Sequence, residues 1–305
     1  MMRNSNPNML LYIAMADAYA SAVEYNNTLR EECLKFERYH AHPTHGNLPG
    51  TYTDDTEMSV ANARVLLQYD EPFTPLMFAD AYVREFQRGG RRKGYSQGFQ
   101  AILERVHMGT ELLGELKPDS VQNGAAMRAV PLGVLPTVEQ VLAVATLQAR
   151  ITHDTPEGRF SARAVALMSH AVLYEDMVFL PDLGEYCQKH LPPEDLQQRF
   201  AYVFSRPWSE MSVKPYMGVS VAITTVHAVV DVLARENSLM GIMRRIINWG
   251  GDTDSVAAIA WGIASARYQD EKLPAFMEHN LEQGNSKTGA VYLRLLGEKL
   301  MYKYR

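Results

Sequence analysis

Two segments of this chain, residues 219–234 and 256–268, consist almost entirely of apolar or small residues. A helix that faces solvent needs a polar face, so such segments are tolerated only where they are buried on most sides. Small residues such as Ala257, Ala260 and Ala264 would let a neighbouring helix approach the second segment closely. The two segments therefore predict buried helices at the centre of a helical assembly.

The rest of the chain is dominated by the helical period. Apolar residues recur at i, i+3, i+4 and i+7 in the stretches 99–106, 138–145 and 239–246. Alternating apolar and polar runs, which would indicate strands, are nearly absent, and the turn residues fall in short loops. We find no internal repeat and no stretch with the composition of an interdomain linker. These patterns predict one all-α domain over residues 1–305.

The composition is that of an ordinary globular protein. The 305 residues are 47% hydrophobic, and the formal net charge of −5 argues against nucleic acid as the main partner. Cys33 and Cys187 lie far apart, which fits a reducing compartment and excludes a thiolate zinc site. The apolar run 9–16 follows Arg3, as in a secretory signal peptide. However, the charged Asp17 lies between this run and the small residues that resemble a cleavage site. We therefore expect a cytoplasmic protein without a membrane span.

Two short acidic segments precede apolar helices. TDDTEM at 53–58 and GGDTDS at 250–255 each combine neighbouring carboxylates with hydroxyls. Helix capping is the ordinary explanation for either segment alone. Asp54 followed by Glu57 resembles a capping box, and Asp252 or Ser255 could cap the second helix.

Capping, however, requires only one side-chain oxygen at each helix end. If the two helix ends face each other, four carboxylates converge, and each would raise the pKa of the others. Bound cations would be the simplest way to reduce the repulsion between these carboxylates. Because every candidate ligand is an oxygen, Mg²⁺ or Mn²⁺ is favoured over zinc. The sequence does not establish that segments nearly 200 residues apart meet.

These residues resemble a known family. TDDTEM and GGDTDSVAAIAWG (250–262) are similar to the two metal-binding signatures of the ADP-ribosylglycohydrolases. DAYASAVEY at 17–25 resembles that family's first-helix motif, NGAAMRAVPLG at 123–133 its substrate loop, and THDTPEG at 152–158 its histidine segment. The resemblance extends from about residue 9 to about residue 270. It implies a compact orthogonal all-α fold with two Mg²⁺ or Mn²⁺ ions.

The resemblance also implies roles for individual residues. The metal ligands would be Thr53, Asp54, Asp55, Asp252, Asp254 and Ser255. The acid/base would be Glu24 or Asp55. Glu24 is favoured because a carboxylate bound tightly to a metal is a poor base.

The other motifs would hold the substrate. Asn123, Gly124, Met127 and Arg128 would lie in or beside the ADP-ribose loop, with backbone N–H groups offered to the diphosphate. His153 would position the diphosphate or the distal ribose. Two alternatives stay open: a simple turn with a solvated or ion-paired Arg128, and a purely structural histidine. For stacking on the adenine, the candidates are Tyr95, Phe99 and Tyr216, although core packing is favoured for Phe99.

The implied activity is hydrolysis at the anomeric carbon of the distal ribose, which removes ADP-ribose from an acceptor through an N- or O-glycosidic bond. The expected partner is an ADP-ribosylated protein, and an ADP-ribosylated nucleic acid is not excluded. We expect a monomer that does not bind membranes. The alternatives are an inactive ADP-ribose-binding or structural relative and a two-metal phosphoester hydrolase.

Overall fold

A computed structural model describes residues 1–175, 180–208 and 218–305. Within these ranges the regular structure is helical, and the single β-contact is an isolated bridge between Asp119 and His153. The predicted all-α class is confirmed. The helices are α1 (Met9–Ala20), α2 (Arg30–Cys33), α3 (Asp54–Gln68), α4 (Pro75–Arg88), α5 (Gln97–Arg105), α6 (Gly109–Glu115), α7 (Gly124–Met127), α8 (Val138–Ala149), α9 (Pro156–Tyr174), α10 (Leu183–His190), α11 (Pro193–Asp195), α12 (Val221–Arg235), α13 (Leu239–Trp249), α14 (Thr253–Ala264), α15 (Ala275–His279) and α16 (Ala290–Lys303).

The centre of the molecule is the pair of helices α1 and α14, which pack closely along each other. Every residue of both helices is buried. Gly262 permits this approach, since a Cβ at that position would lie 2.7 Å from Cγ1 of Ile13. The apolar segments predicted to be buried helices form α12 and α14, which confirms that prediction. The apolar run near the N-terminus forms α1, a core helix.

Polar caps fix where several helices begin. Thr137 and Gln140 form a complete capping box at the start of α8. Thr155, Ser220 and Ser238 each accept a hydrogen bond from a backbone N–H in the first turn of α9, α12 and α13. The three stretches with helical apolar spacing lie in α5, α8 and α13, as the period predicts. Among the described residues, no helix has the length and the apolar character that crossing a membrane requires.

Candidate functional site

Asp17, near the end of α1, fixes the start of α3. Its carboxylate accepts hydrogen bonds from the backbone N–H of Thr53 at 2.9 and 3.0 Å and from that of Thr56 at 3.1 Å. The hydroxyls of the same two threonines donate to it at 2.9 and 2.6 Å. The first acidic segment is thereby held against the C-terminal end of α1.

The start of α14 is held at the same end of α1. Gly250 and Gly251 both have positive φ, at 73° and 79°, a conformation that glycine adopts without strain. The hydroxyl of Thr253 then donates to the carbonyl of Ala20 at 2.8 Å, and the N–H of Tyr25 donates to the carbonyl of Gly251 at 2.8 Å. The two acidic segments therefore meet, although the sequence alone could not place them together.

The capping roles predicted for Asp54 with Glu57 and for Asp252 are wrong, although Thr53 in the first acidic segment does cap α3. Thr53, not Asp54, is the N-cap of α3. Glu57 turns away from the cap and accepts hydrogen bonds from Arg92 at 2.8 Å and from the Tyr95 hydroxyl at 2.6 Å. Asp252 occupies the N-cap position of α14 but makes no capping hydrogen bond. The paired carboxylates are therefore not used to cap these helices.

The helix ends open into one cavity of about 570 Å³. The predicted site residues that line it are Glu24, Asp54, Asp55, Asn123, Gly124, Met127, Arg128, His153, Asp252, Asp254 and Ser255. Thr53 is not in the lining; it lies beneath the cavity, with its hydroxyl 3.2 Å from Oδ2 of Asp55. The motifs that resemble the family thus contribute to a single cavity.

The carboxylates form two groups that share Asp254. In one group, an oxygen from each of Glu24, Asp252 and Asp254 lies within 4.8 Å of the others. In the other group, oxygens of Asp17, Asp55 and Asp254 meet the same limit. Asp17 already accepts hydrogen bonds on both of its oxygens, so Asp55 and Asp254 are the members of that group with capacity for a further ligand.

Burial and mutual repulsion disfavour the charged forms of these acids. Burial, followed by the charges of Asp252, Asp54 and Asp17, raises the pKa of Glu24 to about 8. Burial raises the pKa of Asp54 to about 7, with the charge of Asp17 adding to it. The pKa of Asp55 and that of Asp254 are raised well above the usual range by the same causes. Without a positive partner, this cluster cannot be fully ionised at neutral pH.

The residues fit hard divalent cations. Oδ1 of Asp55 is buried and has no hydrogen-bond partner among the described residues. An unsatisfied buried carboxylate oxygen is costly, and a cation would satisfy it. The surrounding donors are carboxylate and hydroxyl oxygens, the ligands that Mg²⁺ and Mn²⁺ prefer.

The other end of the cavity carries a buried positive charge. Arg128 is only 1% exposed, and its guanidinium donates to neutral acceptors: the side chain of Gln148 at 2.5 Å, the Gln148 carbonyl at 3.0 Å and the Thr152 hydroxyl at 2.7 Å. The alternative that Arg128 is solvated or ion-paired is therefore wrong. Beside it, burial lowers the pKa of His153 to about 3, and the charge of Arg128 adds to this effect. His153 is neutral at physiological pH.

Of the aromatic candidates for stacking on the adenine, Phe99 lines the cavity and Tyr95 does not. Tyr95 is buried, donates to Glu57 and packs edge-on against Phe86, so it does not line the cavity. Phe99, for which core packing was favoured, is half-buried and does line it. Phe99 also packs against the hydrophobic core, as favoured, so it takes part in both. The periodic apolar face did not reveal that one of its residues also borders a cavity. Tyr216 lies outside the described residues.

Sequence reasoning missed two polar residues that organise the site. Asp17 was noted as an interruption of an apolar run and as the first residue of the 17–25 motif but was given no role, yet it connects α1 to α3. A carboxylate within a fully apolar helix was the available signal, since it must find buried partners. Tyr25 was also missed. Its hydroxyl lies 3.4 Å from Oδ2 of Asp252, and its left-handed φ of 49° is unusual for a residue other than glycine.

In the described residues, the structure defines an all-α protein whose cavity brings together clustered carboxylates and hydroxyls from two helix starts. Comparisons identify the family: the model of the ADP-ribosylglycohydrolase family matches residues 8–302. The chain belongs to this family of glycohydrolase enzymes.

Similar proteins agree with this assignment. An ADP-ribosyl-[dinitrogen reductase] glycohydrolase of Rhodospirillum rubrum is 26% identical over 276 residues, which cover 87% of this chain and 86% of that protein. The ADP-ribosylhydrolase ARH3 of Gallus gallus is 25% identical over 278 residues, covering 76% and 74%. A solved structure titled "ADP-ribosylglycohydrolase-related protein complex" has the same fold, with a TM-score of 0.69, 22% identity and coverage of 98% of this chain and 97% of that one.

Proposed function

We propose that this protein is a dinuclear-metal hydrolase that removes ADP-ribose from a modified acceptor by cleaving the bond at the anomeric carbon of the distal ribose. The observation that carries the proposal is the pair of carboxylate groups that share Asp254 in one cavity. Family membership supports the substrate class. We further propose that residues 1–305 form one domain.

Two Mg²⁺ or Mn²⁺ ions would be held by Asp54, Asp55, Asp252 and Asp254, with hydroxyl ligands from Thr53 and Ser255. When bound, such ions orient the ribose hydroxyls and activate a water. Asn123 supports this arrangement by donating to Oδ2 of Asp252 at 3.0 Å and to Thr225 at 3.1 Å. These contacts fix the rotamer of Asp252. In this proposal Asn123 positions Asp252 rather than binding the substrate directly.

Glu24 is the proposed acid/base. In the metal-free protein its pKa is raised to about 8, first by burial and then by the neighbouring carboxylates. Burial remains when cations neutralise those carboxylates, so Glu24 would hold a proton more readily than an exposed carboxyl group and could deliver it to a leaving group. Its side chain reaches solvent at the cavity mouth, where Nδ1 of His45 lies 3.5 Å from Oε2. Asp55 is the weaker candidate because it is almost completely buried and faces Asp254.

The far end of the cavity would hold the rest of ADP-ribose. Arg128 and His153 would face the diphosphate, and Gly124 leaves them room, because a Cβ there would lie 2.8 Å from Cε1 of His153. Met127 adds apolar surface to this wall. Phe99, with Ile102 on the same helix, would contact the adenine.

Incubation of the purified protein with an ADP-ribosylated protein tests this proposal, with Mg²⁺ or Mn²⁺ in one sample and a chelator in another. Release of free ADP-ribose that depends on the metal is expected. Binding without release would indicate an inactive ADP-ribose-binding relative, and release of AMP would indicate a phosphoester hydrolase. Glu24→Gln is expected to keep its metal but lose turnover. Full turnover in that variant would remove Glu24 from the acid/base role.

A further inference from the structure

The hydrogen bonds around His153 determine which of its ring nitrogens carries the proton. Nδ1 of His153 lies 2.6 Å from the hydroxyl oxygen of Thr152. The same oxygen accepts a hydrogen bond from Nη2 of Arg128 at 2.7 Å. All three side chains are buried. His153, Thr152 and Arg128 thus form a continuous chain of hydrogen bonds, which we call the arginine relay.

The direction of each bond in the arginine relay follows from the chemistry of its members. An arginine guanidinium can only donate, so the Thr152 oxygen is the acceptor of that bond. The structure gives the Thr152 hydroxyl hydrogen no other acceptor in the part of the chain that it describes. If Nδ1 also donated to this oxygen, the hydroxyl hydrogen would have no partner among the described residues. The hydroxyl therefore donates to Nδ1, and Nδ1 carries no hydrogen.

We propose that Arg128 and Thr152 are positioning residues that hold His153 as the tautomer with its proton on Nε2. Nε2 lies on the side of the ring away from Thr152 and next to Gly124, where a Cβ would come within 3.1 Å of it. His153, Gly124 and Thr152 all line the ligand cavity. His153 therefore offers a fixed N–H donor to a ligand oxygen, and a neutral imidazole suffices for this role.

The position of Arg128 in the relay is specific to its chemistry. A neutral side chain in its place could accept the Thr152 hydrogen, which would reverse the relay and move the proton of His153 to Nδ1. His153 would then present a lone pair to the cavity and repel an anionic oxygen. The ligand chemistry, an anionic or hydroxyl oxygen of ADP-ribose, rests on the proposed function, whereas the tautomer does not.

Nuclear magnetic resonance tests the tautomer in the ligand-free protein. Histidine nitrogens of each tautomer give distinct shifts and coupling patterns, and His153→Gln would assign the signals of His153 among the nine histidines. We expect Nδ1 unprotonated and Nε2 protonated at neutral pH in the wild type. Thr152→Val should lose this fixed pattern, and Thr152→Ser should restore it. Thr146→Val, which removes a threonine hydroxyl from α8, is the matched control and should leave the His153 signals unchanged.

A wild-type His153 protonated on Nδ1, or a Thr152→Val variant with an unaltered tautomer, would overturn the proposal. Calorimetric titration with ADP-ribose and Mg²⁺ supplies the second readout. Thr152→Val should bind about tenfold more weakly, as expected for one lost hydrogen bond, and Thr152→Ser should bind like the wild type. If Thr152→Val changes the tautomer but leaves the affinity for ADP-ribose unchanged, the inference that Nε2–H of His153 donates to the ligand is overturned. Failure of the wild type to bind ADP-ribose would contradict the proposed function, while the tautomer measurement would still decide this inference.

Discussion

Two parts of the cavity lining, the acidic segments and the surroundings of Arg128, carry charges of opposite sign, and neither part neutralises its own charge. The carboxylates are those of Glu24, Asp54, Asp55, Asp252 and Asp254. In the described part of the chain, the basic side chain paired with this group is His45, beside Glu24. The guanidinium of Arg128 has neutral hydrogen-bond partners.

In a different region of the same protein, a buried charge is paired with side chains of the opposite charge. Arg92 is also buried, yet it pairs with Glu57 at 2.8 Å and with Glu282 at 3.0 Å. Burying an unpaired charge is costly, and protonation or a bound ligand relieves that cost. The proposed function accounts for the difference, with cations at the carboxylates and an anionic group of the ligand at Arg128. The predictions below test this contrast.

Replacing the shared carboxylate should have the largest effect. Asp254→Asn removes one charge from both carboxylate groups and should lower turnover by more than about a hundredfold, because it affects both metal positions. In the metal-free protein, the same change relieves repulsion and should raise Tm. Turnover assays, metal analysis and thermal unfolding check these outcomes. Asp270→Asn, at an exposed carboxylate, is the control. A variant that keeps its metal and its turnover would contradict the account.

Metal should stabilise the protein more strongly at higher pH. The pKa of Asp17 is raised to about 6 by burial, that of Asp54 to about 7 and that of Glu24 to about 8. Between the ordinary carboxyl pKa near 4 and these values, the folded metal-free protein holds protons that the unfolded chain releases. For these groups, the free energy of unfolding therefore falls as pH rises through that window.

Bound Mg²⁺ or Mn²⁺ replaces those protons. At about 100 times the dissociation constant, one ion adds about 2.7 kcal/mol, or roughly 5 °C in Tm. The Tm difference between metal-loaded and chelated protein should widen from about pH 6 to about pH 8. A difference that narrows over this range would contradict the charge assignment.

Removing the buried cation should weaken the binding of an anionic ligand. Arg128→Met deletes the positive charge at similar length, and its loss should cost ADP-ribose binding roughly 1–2 kcal/mol, or about tenfold in affinity. Adenosine, which lacks the diphosphate, is the matched ligand and should bind as to the wild type. Calorimetric titration measures both. Equal losses for the two ligands would mean that Arg128 acts through packing rather than charge.

Substitutions of the two aromatic candidates should have different effects, one on the affinity for ADP-ribose and the other on the free energy of unfolding. Phe99→Ala removes a ring from the cavity wall and should weaken ADP-ribose binding about 3- to 10-fold. Tyr95→Phe removes the hydroxyl that donates to buried Glu57, so it should cost about 1–3 kcal/mol of stability while affinity is retained. Titration and urea unfolding of both variants make the comparison. The opposite pattern would place Tyr95, not Phe99, against the adenine.

The sequence predicted the fold class from its helical period, and it predicted about half of the cavity lining from the acidic segments and from motifs that resemble the family. Apolar continuity predicted α12 and α14, and paired carboxylates before a helix predicted the acid-lined end. The roles of Asp17 and Arg128 could not be predicted, since each depends on partners from distant segments. Asp17 binds the threonines of α3, and Arg128 binds Gln148 and Thr152. Which of Tyr95 and Phe99 lines the cavity could not be predicted either, since the spacing of Phe99 identifies a helix face but not what covers it, and the hydrogen bond of Tyr95 is to the distant Glu57.

The central claim is that the two acidic helix starts jointly bind a pair of divalent cations around Asp254. Anomalous X-ray scattering from crystals grown with Mn²⁺ tests it most directly. The account predicts two manganese peaks, one beside Asp55 and Asp254 and the other beside Asp252 and Asp254. Crystals that contain Mn²⁺ at saturating concentration but show no peak within reach of Asp254 would contradict it.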